Sequence, residues 1–133
     1  MIQLVRVCAA GYYRRADDTA NLISRRAIES LARNHRCQVV RWCVESATST
    51  SGRLSQRPQL AGLLREVVAG RIGAIITTSL DEFGNFTPDE LSWIVRILDD
   101  GGARLLTWSQ GWVDASHVAA RLVPAPAKPV MPR

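Results

Sequence analysis

Residues 72–78 read Ile-Gly-Ala-Ile-Ile-Thr-Thr, a largely β-branched run near the middle of a chain of 133 residues. A run of this kind, without a polar residue at every second position, predicts a strand that is covered on both faces. Residues with helical apolar spacing lie on both sides of it, after Pro58 and after Pro88, and proline is well tolerated in a first helical turn. The run therefore predicts a buried strand between two helices.

The same alternation continues outward from this strand. Residues 3–13 and 39–44 predict two earlier strands, and an amphipathic helix between them is capped at 17–19 and ends near Asn34. Residues 103–108 predict a further strand. Strands that alternate with helices form mainly parallel sheets. We expect an α/β fold of three layers, α/β/α, with a central sheet of four to five strands.

The end of the chain has a different composition. Asp114 can cap a short helix through Arg121, and the last residues are rich in proline. Because proline lacks the amide hydrogen that a helix requires, residues 122–133 predict an extended, flexible tail. The expected organisation is one domain over residues 1–121, followed by this tail.

The composition is that of a globular chain, with 47% hydrophobic and 22% charged residues. No apolar run reaches the roughly 18 residues of a membrane span, and no signal-peptide pattern opens the chain, so we expect a cytoplasmic protein. The net charge is +5, yet the arginines are spread along the sequence. Charge alone is therefore a weak argument for nucleic-acid binding.

Three cysteines, Cys8, Cys37 and Cys43, lie in strand-like segments without metal-binding spacing. We interpret them as small buried hydrophobic residues. A zinc site that also uses His35 or His117 is the weaker alternative. No metal or other cofactor is expected.

Three polar stretches follow the first three predicted strands. They are Gly-Tyr-Tyr-Arg-Arg-Ala at 11–16, Ser-Gly-Arg-Leu-Ser-Gln-Arg-Pro at 51–58, and Leu-Asp-Glu-Phe-Gly-Asn at 80–85. In parallel α/β sheets, functional groups collect in the loops beyond the carboxyl ends of the strands. The pattern therefore predicts that these three stretches meet in one site.

In order and spacing, the three stretches resemble the catalytic domain of the serine recombinases, the resolvase/invertase family. The corresponding family motifs are Tyr-x-Arg-x-Ser, Ser-Gly-x4-Arg-Pro and Leu-Asp-Arg-Leu-x-Arg, and the resemblance covers about residues 3–112. It implies a resolvase-like fold and a serine hydroxyl that attacks a DNA phosphodiester. It also implies arginines that stabilise the extra negative charge on the phosphorus.

This chain departs from the family at the reactive positions. Ala16 stands where the resemblance places the nucleophilic serine, and Glu82 and Asn85 stand where it places two arginines. No catalytic residues are therefore expected. The residual site consists of side chains that match the motifs: Arg14, Ser51, Arg57 and Asp81. Each also has a structural interpretation, such as an ion pair for Arg14 or an anchor for the start of a helix for Arg57.

An alternative register of the first motif places Cys8, rather than Ala16, at the nucleophile position, but it requires a long insertion. Active relatives are also expected to continue into a long helix that mediates dimerisation and lies along DNA, and then into a DNA-binding module. No pattern for either follows Trp112. Both segments are expected to be missing.

The leading hypothesis is a catalytically inactive, recombinase-like domain that regulates or scaffolds by binding a protein partner or a second copy of itself. One alternative is a DNA- or nucleotide-binding module that uses Arg14 and Arg57 as an anion site. Another is a recombinase with a relocated nucleophile, either Cys8 or a serine of the 46–55 loop.

Overall fold

The computed structural model of the chain describes residues 6–46, 57–78, 88–108 and 111–113. Strands and helices alternate through most of these ranges, as the sequence predicts. The elements are β1 (Val7–Arg14), α1 (Asp18–Asn34), β2 (Cys37–Glu45), α2 (Pro58–Val68), β3 (Ala74–Thr77), α3 (Pro88–Asp100), β4 (Arg104–Thr107) and β5 (Gly111–Val113).

The strands form one sheet in the order β2-β1-β3-β4-β5. The first four run parallel, and β5 pairs antiparallel with β4. The strand β3, at the centre of the sheet, is buried at all four residues, in agreement with its β-branched sequence. We call the side where the parallel strands end the carboxyl edge, and the side where they begin the amino edge.

Helices cover both faces of the sheet, so the predicted α/β fold is confirmed. The helix α1 packs on one face, and α2 and α3 pack on the other. Each face has its own buried apolar cluster. Ile28 and Leu31 of α1 meet Ile76 and Leu106 on the first face. The second face is formed by residues that include Leu60, Leu64, Ile75, Ile94 and Leu105.

Local sequence explains where α1 begins and how closely β1 approaches its neighbours. The side chain of Asp17 accepts a hydrogen bond from the amide of Ala20, at 2.8 Å, which satisfies a donor in the first helical turn. Gly11 in β1 permits the close approach of its neighbours, because a Cβ there would lie 2.5 Å from the Trp42 ring and 3.1 Å from Ile28. A side chain at position 11 would displace one of them.

The structure corrects one expectation about individual side chains. Cys37 and Cys43 are buried as expected, but Cys8 is exposed; all three are free thiols. Pairing between β1 and β3 begins at Ala9. Cys8 therefore lies outside the part of β1 that has a neighbouring strand on both sides. Ile23, which belongs to the apolar pattern of α1, is 63% exposed.

The proposed short helix at 114–121 and the tail at 122–133 lie outside the described residues, as do residues 3–5 of the first predicted strand. The domain boundaries at these positions stay predictions. None of the helices in the described ranges is long and apolar enough to span a membrane.

Candidate functional site

Ala16 lies just beyond the carboxyl end of β1, and its side chain is exposed. Its backbone is held from both sides by Asn21 in the first turns of α1. The Ala16 amide donates to Oδ1 of Asn21 at 2.8 Å, and Nδ2 of Asn21 donates to the Ala16 carbonyl oxygen at 3.1 Å. The carboxyl edge therefore presents the Ala16 methyl group at a position that two hydrogen bonds to Asn21 hold in place.

Arg57 lies at the start of α2, at the same edge, but its side chain is 0% exposed. The guanidinium lies near the Tyr12 hydroxyl, on which its charge and hydrogen bond act. Arg14, the last residue of β1, is half-buried. A fully buried guanidinium cannot reach the phosphate of a nucleic acid unless the surrounding residues move. The two arginines of the predicted anion site are thus only partly available to a ligand.

Glu45 is a buried acidic residue that the sequence did not assign to the site. It ends β2, is 1% exposed and accepts three hydrogen bonds. The donors are the Tyr12 hydroxyl at 3.1 Å, the Gln59 amide at 3.2 Å and the Leu60 amide at 3.1 Å. Because a helix N-terminus carries partial positive charge, the carboxylate is well placed there. Glu45 therefore caps α2 from a different element.

Tyr12, Glu45 and Arg57 form a buried polar cluster beneath the carboxyl edge. Burial raises the pKa of Tyr12 far above its ordinary value, and the nearby Glu45 carboxylate raises it further. The positive charge of Arg57 acts in the opposite direction, but it is the weaker influence. Tyr12 therefore stays a neutral hydrogen-bond donor at ordinary pH. An alternation of apolar residues does not reveal such a cluster, because all three side chains are polar or charged.

Cys8 is far from this cluster along β1. It pairs with Gln38 near the beginning of β2, whereas Arg14 pairs with Glu45 at the end of the same strand. The alternative register requires Cys8 at the carboxyl edge, and the structure places it toward the amino edge. The other predicted site residues, Ser51, Asp81, Glu82 and Asn85, lie outside the described residues.

An apolar groove opens beside α1, close to the carboxyl edge. It has a volume of about 550 Å³ and is lined by Ile23, Arg26, Ala27, Ser30, Thr78 and Trp108. Thr78 and Trp108 directly follow β3 and β4, and Ile23 lies less than two helical turns beyond Ala16. The Trp108 side chain is 59% exposed. The sequence alone does not place Ile23 next to Trp108, because the two residues are 85 positions apart in the chain.

Comparison with known proteins agrees with the observed fold. A family model described as the resolvase N-terminal domain matches residues 9–124, which is most of the chain. The chain belongs to the resolvase family. No curated protein matches its sequence.

Solved structures related to this resolvase-family chain share its fold. The N-terminal catalytic domain of the TP901-1 integrase is 14% identical, with a TM-score of 0.64 and 78% of each chain covered. A resolvase family site-specific recombinase from Streptococcus pneumoniae is 17% identical, with a TM-score of 0.59; 84% of this chain and 77% of that one are covered. The C-terminal catalytic domain of ISC1926 TnpA, an IS607-like serine recombinase, is 18% identical, with a TM-score of 0.57 and coverage of 76% and 68%. At such identities the similarity is one of fold alone.

The resolvase-family chain shows no metal centre in its described part. No three His, Cys, Asp or Glu side chains come together there in a way that could hold an ion. The polar chemistry described at the carboxyl edge is that of the buried Tyr12, Glu45 and Arg57 cluster, together with the half-buried Arg14.

Proposed function

We propose that this chain is a catalytically inactive member of the resolvase family that acts as a regulatory or scaffolding protein-interaction module. The exposed methyl group of Ala16 carries this proposal. Ala16 has no oxygen with which to attack a phosphodiester, and loss of a nucleophile commonly lowers a reaction rate by several orders of magnitude.

The charges around the site support the same conclusion. A five-coordinate phosphorus carries extra negative charge, which the family's arginines stabilise. In this chain Arg57 is fully buried. The sequence has Glu82 and Asn85 where the family motif has arginines. A glutamate in place of an arginine changes the local charge by about two units and would repel the phosphate.

The apolar groove supports the protein-interaction part of the proposal. Ile23 and Trp108, which flank it, are each more than half exposed, so apolar surface stays in contact with water at an edge where family chemistry would otherwise take place. Exposed apolar patches commonly mark contacts with other proteins, and tryptophan is enriched at the centres of such contacts. We propose that a protein partner or a second copy of the chain occupies this groove. The three free thiols fit a reducing compartment, so a cytoplasmic location is part of the proposal.

A cleavage assay tests the inactive state. Supercoiled plasmid is incubated with the wild type, with Ala16→Ser, and with the triple variant A16S/E82R/N85R. The double variant E82R/N85R, which keeps Ala16, is the matched control. We expect no nicks and no covalent protein–DNA adduct from the wild type, the single variant or the control. Cleavage by the wild type that disappears on Cys8→Ser or Ser51→Ala would contradict the proposal.

A second experiment tests the groove. The molar mass is measured by sedimentation over a wide concentration range for the wild type and for I23S/W108S. Trp93→Ser is the control, because Trp93 is 50% exposed on α3, on the other face of the sheet. If copies associate through the groove, I23S/W108S weakens association and W93S does not. A wild type that is monomeric at every concentration would contradict self-association.

The two other functions have less support from the structure. An anion site of Arg14 and Arg57 conflicts with the full burial of Arg57. A gel shift that is seen at low salt, disappears at higher salt and is abolished by Arg14→Gln would favour the anion site. A relocated nucleophile at Cys8 conflicts with the position of Cys8 toward the amino edge. Ordinary reactivity of Cys8 toward a thiol probe would count against it.

A further inference from the structure

Arginine side chains come together at the amino edge, opposite the site described above. Arg6, Arg33 and Arg36 line one cavity of about 110 Å³, and Cys37 completes the lining. A fourth arginine, Arg104 at the start of β4, is close enough for its charge to act on the Cys37 thiol. We call these four arginines the amino-edge cluster.

No ion pair to an arginine of the amino-edge cluster is found within the described residues. The ion pairs found in the described part of the chain join Glu66 to Arg41 and to Arg71, and none of these residues belongs to the cluster. Glu29 lies one helical turn before Arg33 on α1, but the two make no ion pair. Like charges around one cavity repel each other, and a bound anion relieves this repulsion. The cluster therefore has an electrostatic reason to bind an anion.

Several contacts hold the walls of the cavity in place. The guanidinium carbon of Arg104 lies 4.4 Å from the centre of the Trp112 ring, which packs edge-on against His35. The carbonyl oxygen of Arg36 accepts a hydrogen bond from the Val7 amide at 3.1 Å. Arg33 stands in the last turn of α1. The backbone that carries the cluster is thus tied to the sheet, and binding has to order only the exposed arginine side chains.

We propose that the cavity of the amino-edge cluster binds a phosphate group, supplied either by a nucleic-acid backbone or by a free phosphate. Guanidinium groups bind phosphate oxygens in a bidentate manner, and a tetrahedral phosphate offers oxygens to several arginines at once. The cavity accommodates one such group rather than a whole nucleotide. The last turn of α1 carries the negative end of the helix dipole, which does not attract an anion. The attraction of phosphate therefore comes from the arginines alone, and added salt should weaken it.

This site does not depend on the proposed loss of catalysis. It lies across the sheet from Ala16 and uses none of the residues of the family motifs. It differs also from the Arg14 and Arg57 anion site, which the sequence placed at the carboxyl edge. Variants at the two edges therefore distinguish these sites.

The experiment compares two double variants that have equal net charge. R6Q/R33Q removes two members of the amino-edge cluster, whereas R15Q/R96Q removes two exposed arginines outside it, one directly after β1 and one on α3. Arg36 is kept because its φ of +57° would confuse the effect of charge with that of backbone strain. Circular dichroism first establishes that all variants fold. Binding of inorganic phosphate is followed by ³¹P NMR, and binding of a labelled DNA duplex by anisotropy across salt concentrations.

We expect R6Q/R33Q to weaken phosphate binding by about tenfold or more, and R15Q/R96Q to leave it nearly unchanged. If the phosphate comes from DNA, R6Q/R33Q also lowers the slope of log K against log salt by about 0.9, because the cavity holds one phosphate. Phosphate binding without duplex binding identifies the free ion or a small ester as the source. No phosphate binding by the wild type, equal losses in both variants, or binding of polyglutamate alone would overturn the proposal.

Discussion

The Tyr12 hydroxyl donates a hydrogen bond of 3.1 Å to Oε2 of Glu45 inside the protein, where neither side chain is appreciably exposed. This bond joins the middle of the sheet to the start of α2, because the same carboxylate accepts the amides of Gln59 and Leu60. Arg57 lies beside the pair and supplies positive charge. These contacts hold the start of α2 against the sheet.

Tyr12→Phe should lower the free energy of unfolding by about 1.5–3 kcal/mol, because a hydrogen bond to a buried charged group is lost. Urea denaturation followed by circular dichroism measures the change. Tyr13→Phe is the matched control, since no hydrogen bond of the neighbouring Tyr13 hydroxyl is found among the described residues, and it should change stability by less than about 0.5 kcal/mol. Equal effects of the two variants would contradict the assigned role of Tyr12.

The raised pKa of Tyr12 predicts a loss of stability in alkali. The unfolded chain releases this proton near pH 10, whereas the folded protein retains it to higher pH. Above about pH 10 the folded state therefore binds more protons than the unfolded state, and stability falls as the pH rises. The wild type should lose stability faster than Tyr12→Phe in this range. Parallel pH profiles of the two proteins between pH 9 and 11.5 would exclude the effect.

Glu45→Ala should be more damaging than Tyr12→Phe, since it leaves the Tyr12 hydroxyl and the amides of Gln59 and Leu60 without their common acceptor. A buried donor that loses its partner typically costs about 1–3 kcal/mol, so the total loss should exceed that of Tyr12→Phe. Glu45→Asp keeps the charge but shortens the side chain, and it should lose less. Thermal and urea unfolding of the three proteins test this order. A Glu45→Ala variant as stable as the wild type would show that the carboxylate contributes nothing to the helix start.

Thr77 and Thr107 are paired directly across β3 and β4, and both are fully buried. In the described part of the chain the Thr77 hydroxyl has no hydrogen-bond partner, whereas Thr107 does have an interaction partner. Thr77→Val should therefore raise the free energy of unfolding by about 1 kcal/mol, and Thr107→Val should lower it by a similar amount. Urea midpoints of both variants check the opposite signs, and a shift of the same sign in both would refute the distinction.

Gly11→Ala should destabilise the protein by about 1–3 kcal/mol, because the new methyl group would overlap the Trp42 ring. Gly62→Ala in α2 is the matched control. Its Cβ would meet no atom closer than 3.6 Å, so the better helix propensity of alanine should raise stability by about 0.5–1 kcal/mol. Trp42→Leu in the Gly11→Ala background should recover part of the loss. Failure of that recovery would show that the overlap is not the cause.

Much of the fold was predictable because it depends on local periodicity. The β-branched run at 72–78 predicted the buried central strand, and the spacing after Pro58 predicted the helix that packs against it. The side of α1 that faces water was harder to predict. Ile23 fits the apolar pattern of that helix, yet it is exposed beside Trp108, because the edge of a helix–sheet contact depends on how far the sheet extends beneath it.

The sequence alone establishes the alternation of strands and helices and the absence of a hydroxyl at position 16. Both follow directly from residue identity and spacing. The sequence alone does not establish which arginines are available to a ligand. Arg57 matches a family motif but is buried near Tyr12, whereas Arg6, Arg36 and Arg104 match no motif and gather near one cavity. Desolvation and electrostatic potential depend on distances in space, and segments far apart in the chain acquire those distances only when the sheet forms.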